Sequence, residues 1–289
     1  MLGLVAVRFA QLSFKEKTIN LEYEWLNPDR NRAPLLVFLH EGLGSLAMWR
    51  DFPQRLCDTG SFRGLVFSRY GYGQSTPRPK KEKLPVSFMH DQARDLLPTF
   101  LASVANNQNI KPWLFGHSDG GSIALIYAAL FPDAVSGIIA VAPHILVEEV
   151  TIESIKLAKT RYQTTGLKRG LAKYHADPDS AFWGWNDVWL NPAFKHWNIE
   201  ELLPSIVCPV LAVQGKDDKY GTMTQIDKIH RLVAQSKLLK LDSCGHSPHI
   251  DQPEALIQAT TAFIHRHSSC TILGDSMTVV NQKTPGTRP

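Results

Sequence analysis

Pro112-Trp113-Leu114-Phe115-Gly116-His117-Ser118-Asp119-Gly120-Gly121-Ser122-Ile123-Ala124-Leu125-Ile126-Tyr127-Ala128 is the stretch on which the reading of this chain turns. A short apolar run leads into G-x-S-x-G, and an apolar helical run follows. In that setting the glycines two before and two after the serine allow a tight strand-to-helix elbow, with the hydroxyl raised at the carboxyl edge of a parallel sheet. The helix N-terminus then faces any negative charge that develops there. The plainer alternative is a helix-capping serine in a tight turn.

A hydroxyl is a weak nucleophile at neutral pH and needs a base, itself held in one tautomer by an acid. Both are found further along. Cys244-Gly245-His246-Ser247-Pro248-His249 follows an apolar run at Leu238–Leu241 and precedes the last helical stretch, which puts His246 on a loop at the same sheet edge. Pro209-Val210-Leu211-Ala212-Val213-Gln214-Gly215 reads as a strand whose exit is Lys216-Asp217-Asp218.

Outward from these motifs, short apolar runs alternate with helical stretches, the pattern of a mostly parallel sheet covered on both faces. Strands are predicted at Val5–Phe9, Ile19–Trp25, Leu35–Leu39, Gly64–Ser68, Pro112–Phe115, Gly137–Ala142, Val210–Gln214 and Leu238–Leu241, the first two as an antiparallel pair. Helices are predicted at Leu46–Cys57, Ser87–Val104 (kinked at Pro98), Gly120–Leu130, Thr222–Ala234 and Pro253–His267. From 145 to 204 no buried strand is visible, and four of the seven tryptophans fall between Trp183 and Trp197. The chain therefore divides into a core of residues 1–144 and 205–267, a helical cap inserted at 145–204, and a polar tail at 268–289. The cap aromatics are either the cap's own core or, as with Trp185 and Trp189, the wall of a pocket. His144, at a strand end, is either a pocket residue or a structural histidine.

With 289 residues, 44% hydrophobic and 20% charged, the chain buries a full core, which excludes disorder, collagen and coiled coil as overall descriptions. Lys plus Arg less Asp plus Glu is 31 − 27 = +4, too weak a field to argue for nucleic acid. A small molecule is the expected partner; the oligomeric state is not readable. Cys57, Cys208, Cys244 and Cys270 form no CxxC pair and read as free thiols in a reducing compartment. Residues 1–10 lack a basic leader, and no apolar run nears the roughly 18 residues of a membrane span, so a soluble cytoplasmic protein is expected. Cys244, His246 and His249 make C-x-H-x-x-H without a second cluster to complete a zinc site. No dinucleotide fingerprint or P-loop is present, so no metal and no cofactor are expected. The run Arg78 to Lys83 reads as a solvated loop.

Together with His40-Glu41-Gly42-Leu43-Gly44 after the third strand and Gly71-Tyr72-Gly73-Gln74-Ser75 after the fourth, these motifs resemble the α/β-hydrolase superfamily over roughly Leu4 to His267. The order serine, acid, histidine is that family's order. The resemblance implies an α/β-hydrolase fold, an eight-stranded, mostly parallel doubly wound sheet with a helical cap. It implies Ser118 as nucleophile, His246 as general base and Asp218 as orienting acid, with Asp217 in reserve. It further implies an oxyanion hole from the N–H of Asp119 and that of Gly42 or Leu43, with Glu41 departing from the family's usual glycine. The Ser-Asp-Gly-Gly elbow is similar to the biphenyl hydrolase-like branch, some members of which cleave amino-acid esters with an acid near the amine.

The expected activity is cofactor-independent hydrolysis of an ester, thioester or lactone of a small apolar or aromatic acyl group through an acyl-enzyme. Two alternatives stand beside it. One is carbon–carbon bond hydrolysis of meta-cleavage-type diketo acids, for which Arg161 or Arg169 would hold the substrate carboxylate. The other is ligand binding without turnover.

Overall fold

The computed structural model describes residues 7–104 and 111–274, with side chains described as far as residue 268. Eight strands form one sheet: β1 (Arg8–Phe14), β2 (Lys17–Leu26), β3 (Leu35–Leu39), β4 (Arg63–Phe67), β5 (Trp113–His117), β6 (Gly137–Val141), β7 (Val210–Gly215) and β8 (Ser236–Leu241). Their order is β1-β2-β4-β3-β5-β6-β7-β8. The β1–β2 and β2–β4 pairs are antiparallel and every later pair is parallel. This is the expected doubly wound α/β-hydrolase architecture.

Every residue of β3, β5, β6 and β7 is buried, because helices cover both faces. Alternation along β3 shares its side chains between two cores: Leu35, Val37 and Leu39 enter one, Leu36 and Phe38 the other. The second core packs against α1 (Phe52–Thr59) and, from the far end of the chain, α10 (Pro253–Gly274). The first packs against α2 (Phe88–Asp91), α3 (Leu97–Val104), α4 (Asp119–Leu130) and α8 (Thr224–Leu232). Between β6 and β7 run α5 (Glu149–Thr164), α6 (Leu167–Leu171) and α7 (Pro178–Trp189), and a single turn α9 (Pro248–Asp251) follows the His246 loop. An antiparallel bridge from Leu146 to Asn198 ties the two ends of this insertion together.

Four sequence readings are corrected. The first strand begins at Arg8 and runs to Phe14, not Val5 to Phe9; Val5 and Ala6 lie outside the described residues. Its inward set is Ala10, Leu12 and Phe14, whereas Val7 and Phe9 are exposed. The register is set by a two-residue hairpin at Lys15 and Glu16, both left-handed (φ 48° and 62°), joining Phe14 to Lys17. The helix expected over Leu46–Cys57 is a 3₁₀ turn (Leu46–Trp49) followed by α1, because Arg50 takes φ 55°. Within the Ser87–Val104 stretch a wide π turn at Gln92–Leu96 precedes α3, just before Pro98, which has no N–H to give the preceding turn. Finally, α10 continues to Gly274, so residues 268–274 of the expected tail are helical; 275–289 lie outside the described residues.

Candidate active site

Ser118 sits between β5 and α4 with φ 53° and ψ −118°, a backbone conformation that costs a non-glycine residue about 1–3 kcal/mol. The surroundings hold it there. Its N–H donates to the Val141 carbonyl at 2.9 Å, and its own carbonyl accepts from Ser122 N–H at 3.0 Å. A Cβ at Gly116 would lie 2.2 Å from the Gly120 carbonyl oxygen, and one at Gly120 would lie 2.0 Å from that of Leu39. Backbone meets backbone on both sides of the serine, which is why no side chain fits two residues away from it.

The hydroxyl of Ser118 is 3.0 Å from His246 Nε2. On the other side of the ring, Nδ1 is 3.0 and 2.9 Å from the two carboxylate oxygens of Asp218. Asp218 also accepts from the Tyr220 amide at 2.7 Å and from Gln214 Nε2 at 3.1 Å. Burial alone would raise its pKa. The bonds from His246 and Tyr220 outweigh that and hold the carboxyl below its ordinary value. Asp217 is exposed and turns its amide to the Cys244 carbonyl, so of the two adjacent acids it is Asp218 that meets the imidazole.

A cavity of about 210 Å³ opens onto Ser118, walled by Asp119, His144, Trp185, Trp189 and Tyr220 and by the loop residues Glu41 to Leu43. Helices α5 and α7 of the 145–204 insertion thus complete a site whose floor belongs to the sheet. His144 faces this cavity with its ring 4.9 Å from that of Trp189, and burial, followed by the neighbouring His246, lowers its pKa to about 3. The neutral ring is therefore favoured. Arg161 and Arg169 are exposed and line no part of the cavity; its charged side chains other than histidine are Glu41 and Asp119, both acidic.

Asp119 is fully buried, with one oxygen accepting from Trp189 Nε1 at 3.2 Å and the other without a partner. Burial pushes its pKa up to about 6, against the pull of Arg69 and Trp189. Glu41 is the opposite case. Burial would raise it, but His117, with Nδ1 at 3.6 Å, together with His40 and His249 holds the carboxyl well below the usual carboxylate range. His117 in turn donates from Nε2 to the His246 carbonyl at 2.7 Å, so Glu41, His117 and the His246 loop form one linked set. Sequence reading noticed Glu41 as a departure from the family's pattern; it had no signal for Gln214, Tyr220 or Arg69, whose contacts depend on tertiary approach.

A larger cavity, about 610 Å³, lies between the 78–83 loop and the insertion and contains none of these residues. Two ion pairs lie in its lining, Lys168 with Asp179 at 2.7 Å and Lys83 with Asp187, while Glu82 pairs outward with Lys17 at 2.6 Å. The 78–83 segment is not wholly solvated: Arg78 is buried and donates to the Ser180 carbonyl. Among the described residues no group of three or more His, Cys, Asp or Glu side chains is arranged to hold a metal, and no helix is long and apolar enough to cross a membrane.

Known proteins resemble this chain in sequence and fold. The human serine hydrolase BPHL is 27% identical over 199 residues, spanning 65% of this chain and 65% of its own length. Monoglyceride lipase of Rattus norvegicus is 27% identical over 241 residues, 76% of this chain and 77% of its own. A carboxylesterase structure from Nitrososphaera gargenis superposes with a TM-score of 0.71 at 21% identity, covering 90% of this chain and 99% of that one. Residues 36–259, well over half of the sequence, match the family profile as well, and the chain belongs to the alpha/beta hydrolase family.

Proposed function

We propose that this protein is a cofactor-independent serine hydrolase that cleaves a carboxylic ester, or a related thioester or lactone, of a small apolar or aromatic acyl group through an acyl-enzyme. The observation that carries this is the pair of hydrogen bonds placing His246 between Ser118 and Asp218. His246 Nε2 takes the Ser118 proton as Oγ adds to the acyl carbon, and Asp218 holds the ring with Nδ1 protonated and stabilises the imidazolium. The oxyanion is received by the N–H of Asp119, at the start of α4, and by that of Gly42 or Leu43; such donors contribute about 3–4 kcal/mol each. His246 returns the proton to the leaving alcohol, then deprotonates a water that releases the acid and restores the serine.

The cavity supports the substrate class. Its volume of about 210 Å³ suits a small acyl group, and Trp185, Trp189, Ile155 and Tyr220 give it apolar walls. Two carboxylates and no lysine or arginine in the lining disfavour diketo acids, whose own carboxylates need a cation. Helices α5 to α7 act as a cap that excludes water from the acyl group. The intact hydrogen-bonded set at Ser118 weighs against simple ligand binding.

The test is a panel of p-nitrophenyl esters from acetate to aryl acyl groups. Many turnovers per protein molecule, abolished in Ser118→Ala, are expected; turnover unchanged by that substitution would refute the reading.

A further inference from the structure

The mechanism above makes no use of His175, a histidine 3% exposed in the link between α6 and α7. Its ring joins two core loops. Nδ1 accepts from the Gly73 amide at 2.9 Å, and Nε2 donates to the Leu43 carbonyl at 3.0 Å. An amide can only donate and a carbonyl only accept, so the ring is the neutral Nε2–H tautomer. The neighbouring Ala176 amide donates to the Gly73 carbonyl at 2.8 Å, which locks the link to the loop from both sides. Gly73 is itself a fixed anchor: φ is +57°, and a Cβ there would be 1.9 Å from Glu22 Oε1.

Leu43 lies in the loop that offers the second oxyanion donor, and the peptide planes of that loop are pinned at two points. The Glu41 carbonyl, which fixes the Glu41–Gly42 peptide, accepts from Arg69 at 2.7 Å and from His40 Nδ1 at 2.7 Å. The Leu43–Gly44 peptide is held at both ends: its carbonyl accepts from His175, and its N–H donates to the Glu41 carbonyl at 3.1 Å. The peptide carrying the Leu43 N–H lies between these two. Trp185 of α7 closes over the same turn, so tightly that a Cβ at Gly42 would be 2.1 Å from its Nε1.

We propose that His175 is a positioning residue: by bridging the Gly73 amide to the Leu43 carbonyl it holds in place the turn that presents the Gly42 and Leu43 N–H groups to the acyl oxygen, so that the oxyanion site is complete only while the 145–204 insertion is seated. This rests on the hydrolase reading of Ser118. The insertion then has two tasks, shaping the pocket through its tryptophans and completing the catalytic electrostatics through one histidine.

His175→Phe and His175→Gln in the full chain test it. Glutamine's amide oxygen and nitrogen have the same one-atom separation as the two ring nitrogens, so it can accept and donate as histidine does. Two readouts are taken on protein shown folded by circular dichroism and melting temperature: hydrogen exchange of the amides at 42–44 and 73, and kcat and KM on a p-nitrophenyl ester. Removing an oxyanion donor outright costs about 10²–10³ in kcat; a donor left in place but misaimed should cost about 10–100-fold. His175→Phe is expected to speed exchange at those amides and lower kcat to that extent with KM within about threefold, and His175→Gln to restore most of kcat. Unchanged exchange in a folded His175→Phe would show that the bridge holds nothing. Faster exchange with unchanged kcat, or a rise in KM alone, would show that the bridge does not aim the donors. Should the Phe variant not fold, His175→Asn, polar but shorter, is read by the same two measurements. If the wild type turns over no ester, the hydrolase reading fails while the exchange arm still decides whether the bridge exists.

Discussion

Trp189, on the last turn of α7, donates its indole N–H to the carboxylate of Asp119, the residue that follows Ser118, at 3.2 Å. The bond ties the insertion to the elbow and uses one of the two oxygens of a wholly buried acid. An acid in the first turn of a helix is ordinarily favoured by the dipole. Burial acts against that and pushes the carboxyl up to about 6.

Stability should therefore depend on pH through Asp119. The folded pKa lies above the unfolded one, so the group's contribution is full below about pH 4 and is lost as pH rises through about 6. At about 1.4 kcal/mol per pKa unit, ionisation costs the fold on the order of 2–3 kcal/mol. Asp119→Asn, neutral and of the same shape, should melt several degrees higher than wild type at pH 8 and at nearly the same temperature at pH 4. Equal melting temperatures at both pH values would count against a strained, buried carboxylate.

The acid of the triad is separable from its neighbour by kinetics. Asp218→Asn should lower kcat by about 10³–10⁴-fold, by loss of the correct imidazole tautomer, while Asp217→Asn leaves it within about twofold. The reverse pattern would transfer the role by one residue.

Gly120→Ala should be among the most damaging single-methyl additions to the molecule. Its Cβ would meet the Leu39 carbonyl oxygen at 2.0 Å, a methyl carbon against backbone, with no side chain able to give way. A loss of about 3 kcal/mol or more in denaturant unfolding, or failure to fold, is expected; a melting temperature equal to wild type would mean the elbow relaxes freely.

Trp185 bears on selectivity. Trp185→Ala should raise KM for aryl-acyl esters by about tenfold, and for acetate by much less, since loss of one large apolar contact is worth about 1–3 kcal/mol. Equal effects on both substrates would make the ring a packing element only.

Much of this was legible from the letters because the informative segments are fully buried. In β3, β5, β6 and β7 the strands are wholly buried and mostly apolar, and in β5 and β7 a glycine, Gly116 or Gly215, marks where the apolar run ends. The elbow residues were legible because steric demands at Gly116 and Gly120 leave only one residue type. The first strand failed for the opposite reason: at an edge, both alternating sets contain apolar residues, and the Lys15–Glu16 hairpin, not hydrophobicity, selects which set points inward. His175 was illegible because its partners Leu43 and Gly73 lie 132 and 102 residues away, and a backbone carbonyl or amide leaves no mark in the sequence.

The central claim is that Ser118 is a nucleophile activated by His246, and the most direct measurement is the mass of the peptide containing residue 118 after treatment with a fluorophosphonate. One phosphonyl adduct on Ser118 is predicted, absent in Ser118→Ala and formed at least about a hundredfold more slowly in His246→Ala, in keeping with the gain from a positioned base. An unmodified Ser118, or a serine labelled equally fast without the imidazole, would contradict the account.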